Sequence, residues 1–334
     1  MKGLPIKKLY IGDDVIYNQG ILSLSYPIER GIIKDFDIWE ELIDHIYKNE
    51  IKRTSDDCPL FLTEPTFNPK SQRKKMSEIL FETFNVPHLS IERDGYLAGV
   101  ASGSTNFLSV DIGEGQMSIT ALSQNFQIVQ CYNRQSFGGM DITDYLKNLF
   151  YQFRERFNSN LCSEIEIFKD IKQNRCYVAK NFKEEKAKFE YEGIEKYYEL
   201  PDGKVITLGE ELFIAPECLF NPSLIGSNLS SLDEFIINSI EKAPMGIKSN
   251  FYGSIVLSGG STLFNGLSDR LEKEILLKSK TKCRVKIIAP PERKYSHWIG
   301  GSILSNLSSA SDSWCSKEKY QENGISLIEN RFII

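Results

Sequence analysis

The sequence lacks the features that would place it in a membrane, secreted or zinc-binding class. No apolar run approaches the roughly 20 residues that a membrane-spanning helix needs, and the first residues contain no apolar core of the signal-peptide kind. The 7 cysteines form no Cys-x-x-Cys pair, and the 3 histidines are far apart in the sequence. Zinc sites and disulfide frameworks need closer spacing than this. We therefore expect a cytosolic protein without membrane insertion.

The sequence also lacks an excess of either charge. Its 334 residues contain 40 lysines and arginines against 45 acidic residues, a formal net charge of −5. The densest charged stretch, residues 180–204, alternates in sign, whereas a nucleic-acid-binding domain concentrates positive charge on one face. No nucleic-acid partner is expected. The length suggests two domains, each large enough to bury its own core.

Alternating strand and helix signals indicate an α/β fold. Short apolar runs at 59–63 and 86–91 flank a helical pattern at 71–84, which predicts a parallel strand pair with a right-handed crossover. After Gly138 and Gly139, Asp141 is predicted to cap a helix. The other predicted elements are a helix at 36–51, a meander of strands at 106–110, 118–122 and 126–130, a hairpin at 198–206, a strand at 254–258, a helix at 267–277, a strand at 285–288 and a helix at 296–307.

Two glycine turns carry the clearest chemical signal. Asp111-Ile112-Gly113-Glu114-Gly115 can aim successive backbone amides at one phosphate, with an aspartate at its mouth suited to a hydrated Mg²⁺. Ser258-Gly259-Gly260-Ser261-Thr262 lies at a strand-to-helix junction, where a nucleotide can approach the backbone. Taken alone, the first is more often a plain hairpin turn, and tight strand–helix packing explains the second equally well. Neither has the Gly-Lys-Ser/Thr ending of a Walker A loop.

Both glycine turns belong to a longer series of sequence stretches. These are Leu62–Pro65, Phe81–Pro87, Val110–Gly115, Thr143–Leu146, Glu199–Thr207, Val256–Thr262, Ile287–Ser296 and Trp298–Leu304. Through these stretches the sequence resembles the actin family, from Tyr10 to the C-terminus and in the family's order. This resemblance implies the actin-like ATPase fold, in which two RNase H-like α/β domains surround a nucleotide cleft. It also implies a cytoplasmic, cytoskeletal protein with ATP or ADP and Mg²⁺ as cofactors. The stretch Pro290–Tyr295 favours an actin over a sugar kinase of the same superfamily.

The resemblance implies a set of cofactor-binding residues. Asp111 matches the family's aspartate that is associated with Mg²⁺ through water. The first glycine turn matches a phosphate hairpin, the second lies beside the adenosine, and the lysines border the base. For each lysine the alternative is a surface residue with only its stem buried. The implied residues are Asp111, Gly113, Glu114, Gly115, Lys172, Gly259, Gly260, Ser261 and Lys294.

The resemblance also implies a division into two lobes, of which the first is incomplete at its N-terminus. The family's first phosphate hairpin precedes the stretch that matches Tyr10–Asp13, so we expect the first lobe to be truncated at its N-terminus and ATP binding to be weak or lost. The alternatives are a filament-forming ATPase whose N-terminal part is missing from this chain, and a non-functional truncated paralogue. The implied divisions are 1–101 with 297–334 for the first lobe (1–26 a remnant of its outer subdomain) and 102–296 for the second (138–228 its outer subdomain).

Two substitutions affect the residues that serve hydrolysis in the family. Asp94 stands where the family has a glutamine that positions the attacking water, and Ser118 stands where it has a histidine. An aspartate beside a triphosphate adds like-charge repulsion, and a serine is too short to hold the same water; phosphoryl transfer depends on such placement. We therefore expect hydrolysis and polymerisation to be impaired. Arg30 also replaces a family histidine.

One predicted helix carries an apolar stripe that suggests a docking surface. The stripe consists of Ile299, Ile303, Leu304 and Leu307, which share a face of the helix after Trp298. In the family the matching helix lines a hydrophobic cleft for partner helices, so actin or actin-binding proteins are the expected partners. Core packing is the alternative explanation.

Overall fold

A computed structural model describes residues 9–16, 22–124, 126–154, 161–193, 195–279, 283–307 and 313–324. The α/β class predicted from the sequence is confirmed. Among the described helices, none combines the length and the hydropathy of a membrane span.

The α-helices are α1 Asp13–Ile16, α2 Phe36–His45, α3 Lys70–Glu78, α4 Asp94–Ala101, α5 Gly139–Phe153, α6 Leu161–Arg175, α7 Phe182–Glu192, α8 Glu211–Glu217, α9 Leu232–Glu241, α10 Lys248–Tyr252, α11 Leu267–Lys278, α12 Ser296–Ser305 and α13 Lys317–Asn323. The strands are β1 Ile28–Glu29, β2 Ile32–Ile33, β3 Leu60–Glu64, β4 His88–Arg93, β5 Asn106–Ile112, β6 Met117–Ser123, β7 Phe126–Gln127, β8 Asn133–Gln135, β9 Lys196–Glu199, β10 Val205–Leu208, β11 Ile255–Ser258, β12 Ile287–Ile288 and β13 Cys315–Ser316.

The first sheet has the order β13-β4-β3. β3 and β4 are parallel, with Leu60 beside Leu89, which confirms the predicted strand pair. β13 joins the other edge of β4 in the antiparallel direction and was not predicted, since two residues carry no periodicity. The helices beside this sheet are longer than α2 and α3 alone, because each continues into a π-helical segment, at Ile46–Ile51 and Ile79–Thr83.

The second sheet has the order β12-β11-β5-β6-β7, and β8 also pairs with β6. β6 is buried along its whole length, β5 is buried from Phe107 onward, and β11 lies parallel to β5. The third strand of the predicted meander is shorter than expected. The chain turns through the 3₁₀ segment Val129–Cys131, which buries Cys131, so that β7 and β8 pair with different parts of β6.

The helix after the two glycines begins earlier than predicted. α5 starts at Gly139, so Asp141 lies in its first turn and not at the cap; there its Oδ2 accepts a hydrogen bond of 2.8 Å from the amide of Gly138. The predicted capping position of Asp141 is therefore wrong. The physical reason is that the amides of Gly139 and Met140 donate to carbonyls of the β5–β6 turn, at 2.9 and 2.7 Å. These bonds satisfy two amides that a helix start otherwise leaves free.

Two helices connect the sheets and touch through their backbones. α4 runs from β4 into β5, and α12 packs along α4 and against β3. A Cβ atom on Gly300 of α12 would lie 1.9 Å from the carbonyl oxygen of Leu97 in α4. Only glycine permits this approach. It brings the first turn of α12 close to the end of β5. The lobe boundaries inferred from the sequence stay predictions.

Candidate functional site

A cavity of about 510 Å³ lies where the turn after β5 meets the turn after β11. Its volume is within the range of small-molecule sites. Gly115, which the sequence also implied as a cofactor residue, does not line it, because it packs against the backbone of Arg30. Leu263, Phe264 and His297 line it without having been predicted. The lining residues are Asp111, Gly113, Glu114, Lys172, Gln173, Asn174, Gly259, Gly260, Ser261, Leu263, Phe264, Lys294 and His297.

Sheet register places hydroxyl side chains on both sides of Asp111. Asp111 on β5 is the direct partner of Ser118 on β6 and of Ser258 on β11. Direct partners on neighbouring strands share a sheet face. The hydroxyl of Ser258 donates to Oδ1 of Asp111 at 2.8 Å, whereas the buried hydroxyl of Ser118 has no hydrogen-bond partner among the described residues.

His297, in the first turn of α12, forms an ion pair with Asp111. Its Nε2 lies 3.0 Å from Oδ1 of Asp111, but Nε2 is buried and makes no aligned hydrogen bond with any described residue. Burial alone would lower the pKa of His297, but Asp111 and Asp94 raise it to about 9. The same ion pair and the Ser258 hydroxyl lower the pKa of Asp111 despite its burial. The pair is therefore charged at neutral pH.

Asp94, one of the two altered hydrolytic positions, lies at the start of α4 in the same charge cluster. Its Oδ1 accepts hydrogen bonds from the amide and hydroxyl of Thr66, at 3.2 and 3.1 Å, and from the amide of Gly95 at 2.7 Å. Burial, together with the charge of Asp111, raises the pKa of Asp94 to about 6, with His297 opposing the rise. Asp94 and His297 also border a second cavity, of about 330 Å³. Asp94 is thus a buried carboxylate that ionises just below neutral pH.

The first glycine turn offers backbone amides to a ligand. Among the described residues, the amides of Glu114 and Gly115 donate to no other group, while the amide of Gly113 is used within the turn, on the carbonyl of Gln116 at 3.0 Å. Two adjacent free amides are a small anion-binding concavity. The Ser261 hydroxyl ties the two glycine turns together by donating to the carbonyl of Gly113 at 3.0 Å.

The second glycine turn approaches the first so closely that position 259 has no room for a side chain. Gly259 has a φ of +88°, and a Cβ atom there would lie 2.3 Å from the carbonyl oxygen of Ile112. Such a φ is strained for any residue with a side chain. Gly259 is therefore needed both for its backbone conformation and for the contact between β11 and β5.

The two lysines predicted to border a base differ in their surroundings. Lys172 on α6 is buried, and its Nζ donates to the carbonyl of Gly139 at 2.7 Å and to the carboxylate of Glu114 at 3.2 Å. Burial lowers the pKa of Lys172, and Glu114 opposes that effect. Lys294 is exposed at the rim, with its Nζ over the ring of Tyr295. Lys172 thus fixes the glycine turn to α5, while Lys294 remains open to a ligand.

The apolar stripe predicted for partner docking is partly exposed. Ile299 and Leu304 are half-buried, while Ile303 on α12 and Leu307 beyond its end are exposed by 42% and 47%. α12 packs on α4 through its glycine face instead, so core packing does not account for the whole stripe. Docking of a partner stays a prediction.

The residues around Asp111 do not fit a hydrated Mg²⁺. Oδ1 of Asp111 already lies within 3.0 Å of two donors, Ser258 and His297. The described residues contain no group of three or more His, Cys, Asp or Glu arranged to hold a metal ion. A cation at Asp111 would also meet the positive charge of His297. The assignment of Mg²⁺ to Asp111 stays a prediction, and this geometry argues against it.

The family model described as Actin matches residues 2–333 of this chain. The match includes both sheets, both glycine turns and the helix that carries His297. It therefore agrees with the resemblance seen in the separate sequence stretches.

Proposed function

This chain belongs to the actin family, and we propose that it is an actin-like cytoskeletal protein that binds ATP or ADP but hydrolyses ATP poorly. The main support is the cavity of about 510 Å³ between the two glycine turns. It combines free amides, two lysines and apolar side chains, which are the groups that phosphates and a purine base require.

The two ends of the cavity suit different parts of a nucleotide. At one end, the amide of Glu114, which lines the cavity, is available to phosphate oxygens, and the free amide of Gly115 lies next to it in the chain. At the other, Leu263 and Phe264 provide apolar surface for a base. Lys294 at the rim adds positive charge without a competing carboxylate, since the part of the chain that the structure describes shows no ion pair for it.

Asp94 is the main reason for proposing poor hydrolysis. Its buried carboxylate is ionised above a pKa of about 6 and lies in the charge cluster of Asp111. Negative charge at this point repels a phosphoryl group and cannot position a water as a neutral amide does. Ser118, beside Asp111 on β6, is too short to replace the missing imidazole.

Nucleotide binding is tested by calorimetry with ADP on the whole chain. Lys172→Met should weaken binding about tenfold, because the glycine turn loses its attachment to α5, a loss on the order of 1–2 kcal/mol. The matched control is Lys169→Met, one turn earlier on α6, where the ammonium pairs with Glu166 and does not border the cavity. Equal weakening by both variants, or no ADP binding at all, would contradict the proposal.

Poor hydrolysis is tested by phosphate release from ATP. We expect slow release from the wild type and faster release from Asp94→Gln, which replaces the carboxylate with a neutral amide. Wild-type release as fast as that of the variant would show that Asp94 does not impair hydrolysis.

A second proposal concerns partners, since membership of the family suggests actin-related ones. We propose that the stripe of Ile299, Ile303, Leu304 and Leu307 forms a docking surface, because Ile303 and Leu307, four residues apart at the end of α12, are exposed large apolar side chains. Ile303→Glu should reduce co-sedimentation with actin filaments. Leu277→Glu, at an exposed apolar residue on α11, is the control; equal loss in both variants would argue against α12 as the surface.

A further inference from the structure

His297 lies between Asp111 and the 510 Å³ cavity. Its Nε2 lies 3.0 Å from Oδ1 of Asp111, close enough for an ion pair, but it is not aligned for a hydrogen bond with any described residue. The imidazole also lines the cavity. A phosphate oxygen bound there would therefore meet a positive charge that the protein itself supplies. The observation points to an anion at this end of the cavity.

One oxygen of the Asp111 carboxylate, Oδ1, is already held by protein groups. Ser258 donates to its Oδ1 at 2.8 Å, and His297 holds the same oxygen at 3.0 Å. A water of a hydrated cation would need to displace one of them to reach this oxygen. Mg²⁺ keeps several waters and needs near-ideal octahedral geometry, so a crowded carboxylate beside an imidazole is a poor site for it.

Charge leads to the same conclusion. The carboxylates that face His297 are Asp111 on β5 and Asp94 on α4, and Asp94 is enclosed by hydrogen bonds from Thr66 and Gly95. A family site of this kind uses a divalent cation to offset the charge of carboxylate and phosphates. Here the imidazole of His297 lies beside the carboxylate of Asp111 instead.

We propose that the His297 side chain takes the place of the divalent cation at Asp111, so that this chain binds its nucleotide free of metal. The inference rests on the proposed nucleotide binding and specifies the form of the ligand, a metal-free nucleoside di- or triphosphate. His297 bridges Asp111 and the phosphates, as a bound cation otherwise does.

The first test compares ADP affinity by calorimetry in excess EDTA and in excess Mg²⁺. The wild type should bind equally in both, within about threefold, a difference below 1 kcal/mol. His297→Val should lose affinity in EDTA by about tenfold and recover part of it when Mg²⁺ is added. His88→Val, an exposed histidine at the start of β4, is the matched control and should behave as the wild type. A wild type that needs Mg²⁺ for tight binding would overturn the inference.

A second measurement uses no nucleotide. Mn²⁺ added to the wild-type chain should remain free in its electron paramagnetic resonance spectrum. Stoichiometric Mn²⁺ binding that Asp111→Asn abolishes would overturn the inference. Failure of ADP to bind in either buffer would instead refute the proposed function, so the two failures are distinguishable.

Discussion

Arg30 holds the carboxylate of Asp141 with both terminal nitrogens of its guanidinium, at 3.0 and 2.8 Å. Nη1 of Arg30 also donates to the carbonyls of Gly115 and Ser136, at 2.9 Å each. Asp141 raises the pKa of Arg30 through this bond. The contact joins the β1–β2 hairpin, which packs with the first sheet, to the first turn of α5 beside the glycine turn. It is thus a direct link between the two halves of the molecule.

Removing this link should destabilise the protein moderately. We expect Arg30→Ala to lower the free energy of unfolding by about 1–2 kcal/mol, since the pair is bidentate but partly solvated. Urea unfolding measures the change, with the exposed Arg53→Ala as control. A double-mutant cycle with Asp141→Ala should give a coupling energy of at least about 0.5 kcal/mol; purely additive effects would contradict the link.

Stability should fall at alkaline pH because of His297. Its pKa in the folded protein is about 9, above the ordinary value of 6.5. A raised histidine pKa stabilises the fold fully below the unfolded value, and this contribution is lost as pH rises through the folded value. Between pH 6.5 and 9 the wild type should therefore lose on the order of 2 kcal/mol relative to His297→Val. Parallel stability curves for the two proteins would refute this.

Asp94→Asn should stabilise the protein above pH 6, whereas the loss of a paired carboxylate usually destabilises a fold. The pKa of Asp94 is about 6 in the fold, above its ordinary 3.8, so its stabilising contribution is full below pH 3.8 and lost as pH rises through 6. Asparagine keeps the oxygen that accepts from Thr66 and Gly95. Above pH 6 the variant should be more stable than the wild type by on the order of 1–2 kcal/mol, as measured by thermal unfolding.

The stability gain of Asp94→Asn can be checked by repeating the measurement at acidic pH. Below pH 3.8, where the wild-type carboxyl is also neutral, the gain should vanish. Asp56→Asn, at an exposed position, should show no gain at either pH. A destabilised Asp94→Asn at neutral pH would mean that the carboxylate is held by favourable interactions that outweigh its burial.

Gly259→Ala should be far more damaging than the same change at Gly103. Both glycines have positive φ, +88° and +69°, which costs alanine about 1–2 kcal/mol. Only Gly259 also faces a backbone oxygen at 2.3 Å from the new Cβ, whereas Gly103 has open space. We expect Gly259→Ala to exceed Gly103→Ala by at least about 2 kcal/mol in urea unfolding and to abolish ADP binding. Similar costs for both would show that β11 and β5 can move apart.

The local parts of this structure could be read from the sequence, and the contacts between distant segments could not. Apolar runs predicted the parallel pair of β3 and β4, and glycine spacing predicted both turns, since these signals lie within a few residues. The start of α5 was misjudged, because its first amides are satisfied by a turn from another part of the chain. His297 was missed as a site residue for the same reason. Its approach to Asp111 depends on the fit of Gly300 against Leu97, which leaves no periodic pattern.

The backbone contact at Gly300 also sets the spacing of the two helices that connect the sheets. A Cβ atom at position 300 would meet the carbonyl oxygen, the carbonyl carbon and the Cα atom of Leu97, at 1.9, 2.6 and 3.0 Å. A larger residue there would force α12 away from α4. His297 lies one turn earlier on α12, so the same displacement would draw its imidazole away from Asp111. The charge pair of the site thus depends on the absence of one methyl group on α12.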